Sequence, residues 1–124
     1  MEISEYVLIG LKIIVGISIL NVWLIQPKKE TIWRGGNAKN IVEEFKVYGL
    51  SKTTCYIIGF LKVTLAILLL LSIQFKFLTI YASLGLAFLL FGSIIMHIKV
   101  KDAWFKSIPA FLFFSMNLVI AYLG

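Results

Sequence analysis

The sequence predicts an all-α membrane protein, a four-transmembrane-helix bundle with a short amphipathic interfacial helix between helices 1 and 2. Of the 124 residues 60% are hydrophobic, and the mean hydropathy is +0.98. A soluble domain of this length cannot bury so much apolar surface. The apolar residues also form four long runs separated by short charged segments. We therefore expect residues 1–124 to form a single integral membrane domain.

The first apolar run predicts a span over residues 6–25. Its roughly 20 residues, at about 1.5 Å each, cross a hydrocarbon core of about 30 Å. Pro27, Lys28 and Lys29 follow at once, and a proline followed by two charges cannot continue into lipid. Lys12 lies only about seven residues inside this span. We expect its side chain to reach outward toward Glu5 or the lipid headgroups.

The segment after this span predicts an interfacial helix over residues 38–48. Ile41, Phe45 and Tyr48 recur on one face at helical spacing. Asn37 is the expected cap at its start, and Gly49 the expected end. A short helix with one apolar face is typical of a segment that lies in the membrane interface.

Three further runs predict spans over residues 53–73, 77–98 and 108–123. The connection between the second and third spans is only a few residues long, so these two spans should form an antiparallel hairpin. Pro109 falls in the first turn of the fourth span, where proline is tolerated.

The basic residues predict the orientation in the membrane. The segments 26–52 and 99–107 together carry nine lysines and arginines, whereas the connection on the other side carries only Lys76. By the positive-inside rule, loops 26–52 and 99–107 should be cytoplasmic and both termini outside. Because membrane topology accounts for the net charge of +6, we expect the lipid bilayer, and no nucleic acid, as a partner.

Lys62 is the strongest polar anomaly. It lies about ten residues from either end of its span, roughly 15 Å deep. A lysine at that depth costs about 2.5–3.5 kcal/mol, so it should face the bundle interior and have a partner. That partner can serve helix packing alone or a functional site, and the sequence leaves both open.

The junction at the end of the third span holds the only histidine and the only aspartate, His97 and Asp102. Imidazole is the side chain that exchanges protons most readily near neutral pH. Asp102 is placed to orient His97 or to pair with Lys62, Lys99 or Lys106. A histidine at an interface can equally be a packed residue without a chemical role.

Other sites are limited by composition. Glu44 lies on the border of the apolar face of the interfacial helix and is the glutamate expected to turn inward. With one cysteine and one histidine, we expect no metal or haem held by a single chain.

Five short segments then occur in a familiar order. They are RGGNAK at 34–39, EFKVYGL at 44–50, IGFLK at 58–62, HIKVKD at 97–102 and KSIPA at 106–110. Together they resemble the DoxX-like family of small four-helix bacterial membrane proteins, over about residues 30–124. The resemblance departs at Ala103-Trp104, where a proline is expected soon after the aspartate.

The resemblance implies a four-helix bundle in the bacterial cytoplasmic membrane. The wider superfamily includes a subunit of a thiosulfate:quinone oxidoreductase and other redox-associated proteins. The family's polar positions fall here on Glu44, Lys46, Lys62, His97, Lys99 and Asp102. We take His97, Lys62 and Glu44 as catalytic candidates, and Lys46, Lys99, Asp102 and Arg34 as substrate-binding candidates.

Three functions remain open. The first is a redox-associated subunit that binds a quinone or another lipophilic molecule in an inner-leaflet pocket, with electrons supplied by a cofactor or a partner membrane subunit. The second is an acid–base enzyme acting on an amphipathic substrate. The third is a non-catalytic assembly protein, for which a homodimer is expected because small residues allow close helix contacts.

Overall fold

The computed structural model describes residues 2–29 and 31–124, and its regular structure is entirely helical. The described residues contain no strand, and the predicted fold class is confirmed. The helices are α1 (Ile3–Leu20, continued by a π-helical turn, Asn21–Ile25), α2 (Ile41–Val47), α3 (Lys52–Leu71), α4 (Thr79–Lys99) and α5 (Ile108–Leu123). Short 3₁₀ turns, Lys76–Leu78 and Trp104–Ser107, lead into α4 and α5.

The four long helices form the bundle, and each is long and apolar enough to cross a membrane. They pack in the cyclic order α1, α3, α4, α5, so each contacts two others. The packed interior is apolar: Val15, Ile19, Ala66, Leu69, Ala82, Leu86 and Ile120. Large apolar side chains such as Phe60, Tyr81 and Tyr122 are exposed on the outside. An apolar outer surface of this kind suits contact with lipid.

Both basic segments meet at one end of the bundle, which we call the loop end (residues 26–51 and 100–107). The Gly36 amide donates to Asp102 Oδ1 at 2.8 Å. The Lys106 ammonium donates to the Gly36 carbonyl at 2.6 Å. The opposite end, which we call the hairpin end, holds the short connection from Ser72 to Leu78 between α3 and α4.

The interfacial helix α2 begins three residues later than predicted. The prediction of Asn37 as the cap is wrong. The cap is Asn40, whose backbone is extended and whose side chain accepts from the Glu43 amide at 2.8 Å. The prediction for Gly49 is confirmed. It has a φ of 82°, and the amides of Gly49 and Leu50 donate to the carbonyls of Lys46 and Phe45. This pair of bonds is the Schellman arrangement that ends many helices.

Lys12 does not reach outward as predicted. Its side chain is only 2% exposed, and its ammonium donates to the Ser72 carbonyl at 3.0 Å and to Thr79 Oγ1 at 2.9 Å. The reason is that Lys12 lies on the side of α1 that packs against the end of α3 and the start of α4, at the hairpin end. There a carbonyl at the end of α3 and a hydroxyl at the start of α4 supply acceptors that lipid cannot.

Helix α4 ends in a second Schellman arrangement that turns the chain back on itself. The Asp102 amide donates to the His97 carbonyl at 3.0 Å, and the Lys101 amide to the Ile98 carbonyl at 3.0 Å. This turn requires a positive φ at Lys101, which has a φ of 57°. A side chain in that left-handed region costs about 1–2 kcal/mol relative to the right-handed form.

We expect Lys101→Gly to raise the free energy of unfolding in detergent by about 1 kcal/mol, because glycine adopts this φ without steric cost. Lys101→Val should lower it by at least as much, since β-branched residues tolerate the region least. Lys46, inside α2, is the matched control, where glycine should instead cost about 1 kcal/mol. If replacement of lysine by glycine changed the free energy of unfolding in the same direction at positions 101 and 46, the left-handed conformation of Lys101 would be contradicted.

Candidate functional site

A cavity of about 590 Å³ opens among α1, α2, α3, α4, α5 and the loop end. Most of its wall is apolar, and its tryptophan and phenylalanine side chains are Trp23, Trp33, Phe45, Phe88, Phe91 and Phe113. Cavities of about 300–1,000 Å³ with apolar walls and few polar groups are typical of small-molecule sites. We call it the loop-end cavity.

The three candidate acid–base residues all line this cavity. Glu44 comes from α2, Lys62 from α3 and His97 from α4, and Arg34 and Lys106 from the loop end lie on the same wall. Lys62 and His97 are buried, with 9% and 6% of their surface exposed. Residues distant in sequence are thus brought to one space, although their catalytic roles stay a prediction.

Glu44 is held at three points. It accepts from the Gly35 amide at 2.7 Å and from the Tyr48 hydroxyl at 3.1 Å, and it pairs with the Arg34 guanidinium at 3.6 Å. The helical spacing of four residues places Tyr48 directly above it on α2. The carboxylate thus accepts two hydrogen bonds at Oε2 and pairs with Arg34 through Oε1.

Arg34 fixes the loop to the end of the first span. Its guanidinium donates to the carbonyls of Lys29 at 2.8 Å and Gln26 at 2.9 Å. Only 6% of it is exposed, and its remaining nitrogen faces Glu44. Arg34 thus serves first to hold the loop in shape.

His97 is oriented by Asp102, and it is one of the four partners that the sequence offered for this aspartate. Its Nδ1 lies 2.8 Å from Asp102 Oδ2, and the other Asp102 oxygen contacts the Gly36 amide and, at 3.9 Å, Lys106. The Schellman turn after α4 makes this contact, because it returns the chain toward the histidine five residues earlier. No ion pair joins Asp102 to Lys62 or Lys99 in the described residues.

Tyr48 connects the two carboxylates of the site: it contacts Glu44 directly and Asp102 through His97. Its hydroxyl lies 3.3 Å from His97 Nε2 and 3.1 Å from Glu44, and the two rings meet edge to face at 5.7 Å. Burial, followed by the nearby Glu44 carboxylate, raises the pKa of the Tyr48 hydroxyl. Tyr48 therefore stays protonated and can donate only one hydrogen bond.

The hydrogens available on Tyr48 and His97 limit which of the contacts between Glu44, Tyr48, His97 and Asp102 can be hydrogen bonds at the same time. If Tyr48 donates to Glu44, His97 must donate from Nε2 to the Tyr48 oxygen, and from Nδ1 to Asp102. All three contacts are then satisfied by an imidazolium. If His97 is neutral with its hydrogen on Nδ1, Tyr48 can donate to His97 or to Glu44, but not to both. A protonated His97 thus directs the Tyr48 hydroxyl to Glu44, whereas a neutral ring with its hydrogen on Nδ1 leaves the hydroxyl two possible acceptors.

Lys62 lies apart from the carboxylates. Its ammonium donates to Ser93 Oγ at 3.3 Å and lies over the Trp23 ring at 5.6 Å. No carboxylate of the described residues forms an ion pair with it. The pairing of Lys62 with Asp102 that the sequence left open does not form, because Asp102 contacts Gly36, His97 and Lys106 instead.

The other two substrate-binding candidates lie off the cavity wall. Lys46 is exposed on α2, and Lys99 is exposed and donates to the Tyr48 carbonyl at 3.2 Å. Lys99 therefore ties α4 to the end of α2. No group of three or more potential metal-ligating side chains occurs in residues 2–29 and 31–124.

Two site residues escaped the sequence analysis as functional candidates. Tyr48 was assigned to an apolar face, although its position four residues after Glu44 was a usable signal. Trp23 fits the boundary belt of a membrane protein, but it lies in the π turn, lines the cavity and contacts Phe45 edge to face at 5.9 Å. Such π turns often mark functional sites.

The comparisons with known proteins concern most of the chain. The sequence profile of the DoxX-like family matches residues 32–121. Every polar residue of the cavity wall from Arg34 to Lys106 lies within this match. No curated protein and no solved structure is similar enough to the chain to count as a match.

Because His97 is the only histidine, protein labelled with ¹⁵N-histidine should give one pair of ring nitrogen signals. We expect Nδ1 to be protonated, since it contacts Asp102. Tyr48→Phe should shift the Nε2 signal and leave Nδ1 nearly unchanged, while the exposed Tyr56→Phe should shift neither. An unprotonated Nδ1 would contradict the arrangement.

Gly59→Ala should lower the free energy of unfolding by about 1–3 kcal/mol. A Cβ there would lie 2.6 Å from the Trp23 ring, so the ring must shift. Gly10, also in a long helix, has open space around the same position, and Gly10→Ala should be neutral or stabilising. Equal effects at both glycines would disprove close packing of Trp23 on α3.

Proposed function

The chain belongs to the DoxX-like family, and we propose that this membrane protein binds a lipophilic small molecule, such as a quinone, in the loop-end cavity. One observation carries the proposal: Glu44, Lys62 and His97 line the same largely apolar space of about 590 Å³. An apolar cavity with a few convergent polar groups is the usual form of a ligand site.

The residues present fit a quinone. Its ring would lie among aromatic side chains such as Trp23, Phe45 and Phe91, and its carbonyl oxygens would need donors. Lys62 is such a donor on the wall. A protonated His97 would donate to the ligand only in place of its contact with Tyr48. When bound, a quinone supplies electron transfer coupled to proton uptake.

The side chains of the chain itself would hold and move the proton. His97 reaches the cavity while Asp102 holds its opposite nitrogen. Tyr48 can turn its hydroxyl between Glu44 and His97 as the charge on the ring changes. In this proposal the protein positions the ligand and supplies protons, and a partner membrane subunit supplies electrons.

The orientation belongs to the same proposal. Nine basic residues surround the loop end and the connection at the hairpin end carries one, which favours a cytoplasmic loop end. The cavity would then open toward the inner leaflet of a bacterial cytoplasmic membrane.

A second candidate is an acid–base enzyme that acts on an amphipathic substrate in the same cavity. The contacts of His97 with Tyr48 and Asp102 favour it, because a base oriented by a carboxylate is the common arrangement in proton transfer. Conversion of a bound lipophile by the wild-type protein, but not by folded His97→Asn protein, would favour this candidate. Recovery of the lipophile unchanged would count against it.

The binding proposal is tested by filling the cavity. Gly92 lines it, and a Cβ there has nothing within 4 Å. Gly92→Leu should therefore occupy the space and weaken binding of a quinone with a ten-carbon tail at least about tenfold, measured by quenching of tryptophan fluorescence. Gly10→Leu is the control, because Gly10 also has open space but does not line the cavity.

Quinone content provides a second measurement. Organic extracts of the purified wild-type protein and the Gly10→Leu variant should contain more quinone than extracts of Gly92→Leu. Equal, trace amounts in all three, together with no quenching by any lipophile, would refute the proposal. An assembly protein that dimerises without a ligand would then be favoured, and cross-linking in the membrane would test it.

A further inference from the structure

We propose that the ligand of the loop-end cavity carries an anionic oxygen at its polar end and that Lys62 binds this oxygen. The cavity would thus select lipophilic oxyanions, such as long-chain carboxylates, over neutral or cationic amphiphiles of the same length. This inference rests on the proposed binding function and adds the chemical class of the ligand.

Neither carboxylate close to the wall is available to neutralise Lys62. Glu44 is engaged by Gly35, Tyr48 and Arg34, and it forms no ion pair with Lys62. Asp102 is engaged by Gly36, His97 and Lys106. Each of these two carboxylates thus has its own cation, and Lys62 is the lysine of the cavity wall that forms no ion pair within the described residues.

The hydrogen-bonding capacity of Lys62 is also incomplete. An ammonium has three donors, and only one is matched by a protein acceptor, Ser93 Oγ, at 3.3 Å. The Trp23 ring at 5.6 Å supplies an attractive face but no oxygen. Lys62, Ser93 and Trp23 all line the cavity, so a ligand there can reach the ammonium.

Lys12 shows how the same fold treats a lysine that needs no ligand. Its side chain is less exposed than that of Lys62, at 2% against 9%, and two protein oxygens accept from it, Ser72 O at 3.0 Å and Thr79 Oγ1 at 2.9 Å. It lines no part of the loop-end cavity. The two lysines therefore differ in the number of protein acceptors and in contact with the cavity.

The physical consequence is selection by charge. A cation removed from water without a partner is costly, and an anionic oxygen that reaches it removes that cost in a medium of low dielectric constant. Arg34 and Lys106 lie on the same wall, but they are paired with Glu44 and Asp102. Selection by charge therefore rests on Lys62, which would repel a protonated amine at the ligand's polar end.

A membrane offers two sources of an anionic oxygen on a lipophilic molecule. A free lipophilic carboxylate would place its head at Lys62 and its tail along the apolar wall. A phospholipid would offer a phosphate oxygen of the same charge. The experiment below separates the two.

The probe is a bromine-labelled stearate, which quenches tryptophan fluorescence on contact. Trp23 and Trp33 line the cavity, whereas Trp104 is 79% exposed. Palmitate, hexadecanol and hexadecylamine, which have tails of the same length, compete with the probe over the same range of mole fractions in neutral detergent micelles, at a pH where the acid and the amine are both charged. Palmitate should displace the probe at a mole fraction at least about tenfold lower than hexadecanol, as expected for one charge-assisted hydrogen bond, and hexadecylamine should displace it least.

Substitutions locate the effect. Lys62→Met should remove the preference for palmitate over hexadecanol, and Lys62→Arg should keep it. Lys12→Met is the matched control, because it removes a buried lysine away from the cavity, and it should keep the preference. Trp23→Phe should reduce the quenching itself. If Lys62→Met does not fold, the competition on the wild-type protein and on Lys62→Arg still decides the question.

The outcomes separate this inference from the binding function. Displacement by the acid and the alcohol at the same mole fraction would overturn the inference and leave lipophile binding intact. No quenching by the probe and no binding of a quinone would overturn both. Displacement by phosphatidylglycerol as effectively as by palmitate, lost in Lys62→Met, would support the inference and identify a phospholipid headgroup as the source.

Discussion

Two adjacent backbone amides hold the loop end together. The amides of Gly35 and Gly36 donate to the two carboxylates of the site, Glu44 on α2 and Asp102 after α4. Glycine is required at both positions for different reasons. A Cβ on Gly35 would lie 2.6 Å from the Tyr48 ring, and Gly36 has a φ of 55°. Because the same carboxylates hold Tyr48 and His97, the geometry of the cavity wall depends on this glycine pair.

The two lysines within the spans illustrate how a bundle accommodates charge in a membrane. Lys12 receives its acceptors from the carbonyl that ends α3 and the hydroxyl that begins α4, so its cost is met within the fold. Lys62 receives one hydroxyl and an aromatic face, and it borders an open volume. A polar group that is only partly satisfied and faces a cavity indicates a ligand more strongly than one that is merely buried.

Much of the architecture was predictable because it depends on local properties. The lengths and hydropathy of the apolar runs predicted four membrane helices, and the glycine at position 49 marked the end of α2. The start of α2 was predicted wrongly, since Asn37 and Asn40 are both acceptable caps and only the path of the loop chooses Asn40. The direction of Lys12 was also missed, since it depends on how α1 is rotated against α3 and α4.

The candidate site was likewise predictable from the sequence only in part. The sequence by itself determined which residues are anomalous in a membrane, Lys62 and His97 among them, because the cost of a polar group in lipid depends on its type and depth. Only the tertiary structure decided their partners: Asp102 for His97, and Ser93 with Trp23 for Lys62. These partners depend on how the helices are rotated and on where the loops lead the chain, and no local sequence pattern specifies either. His97, held by Asp102, thus lies on the wall of a cavity that also holds the Lys62 ammonium, for which residues 2–29 and 31–124 provide no ion pair.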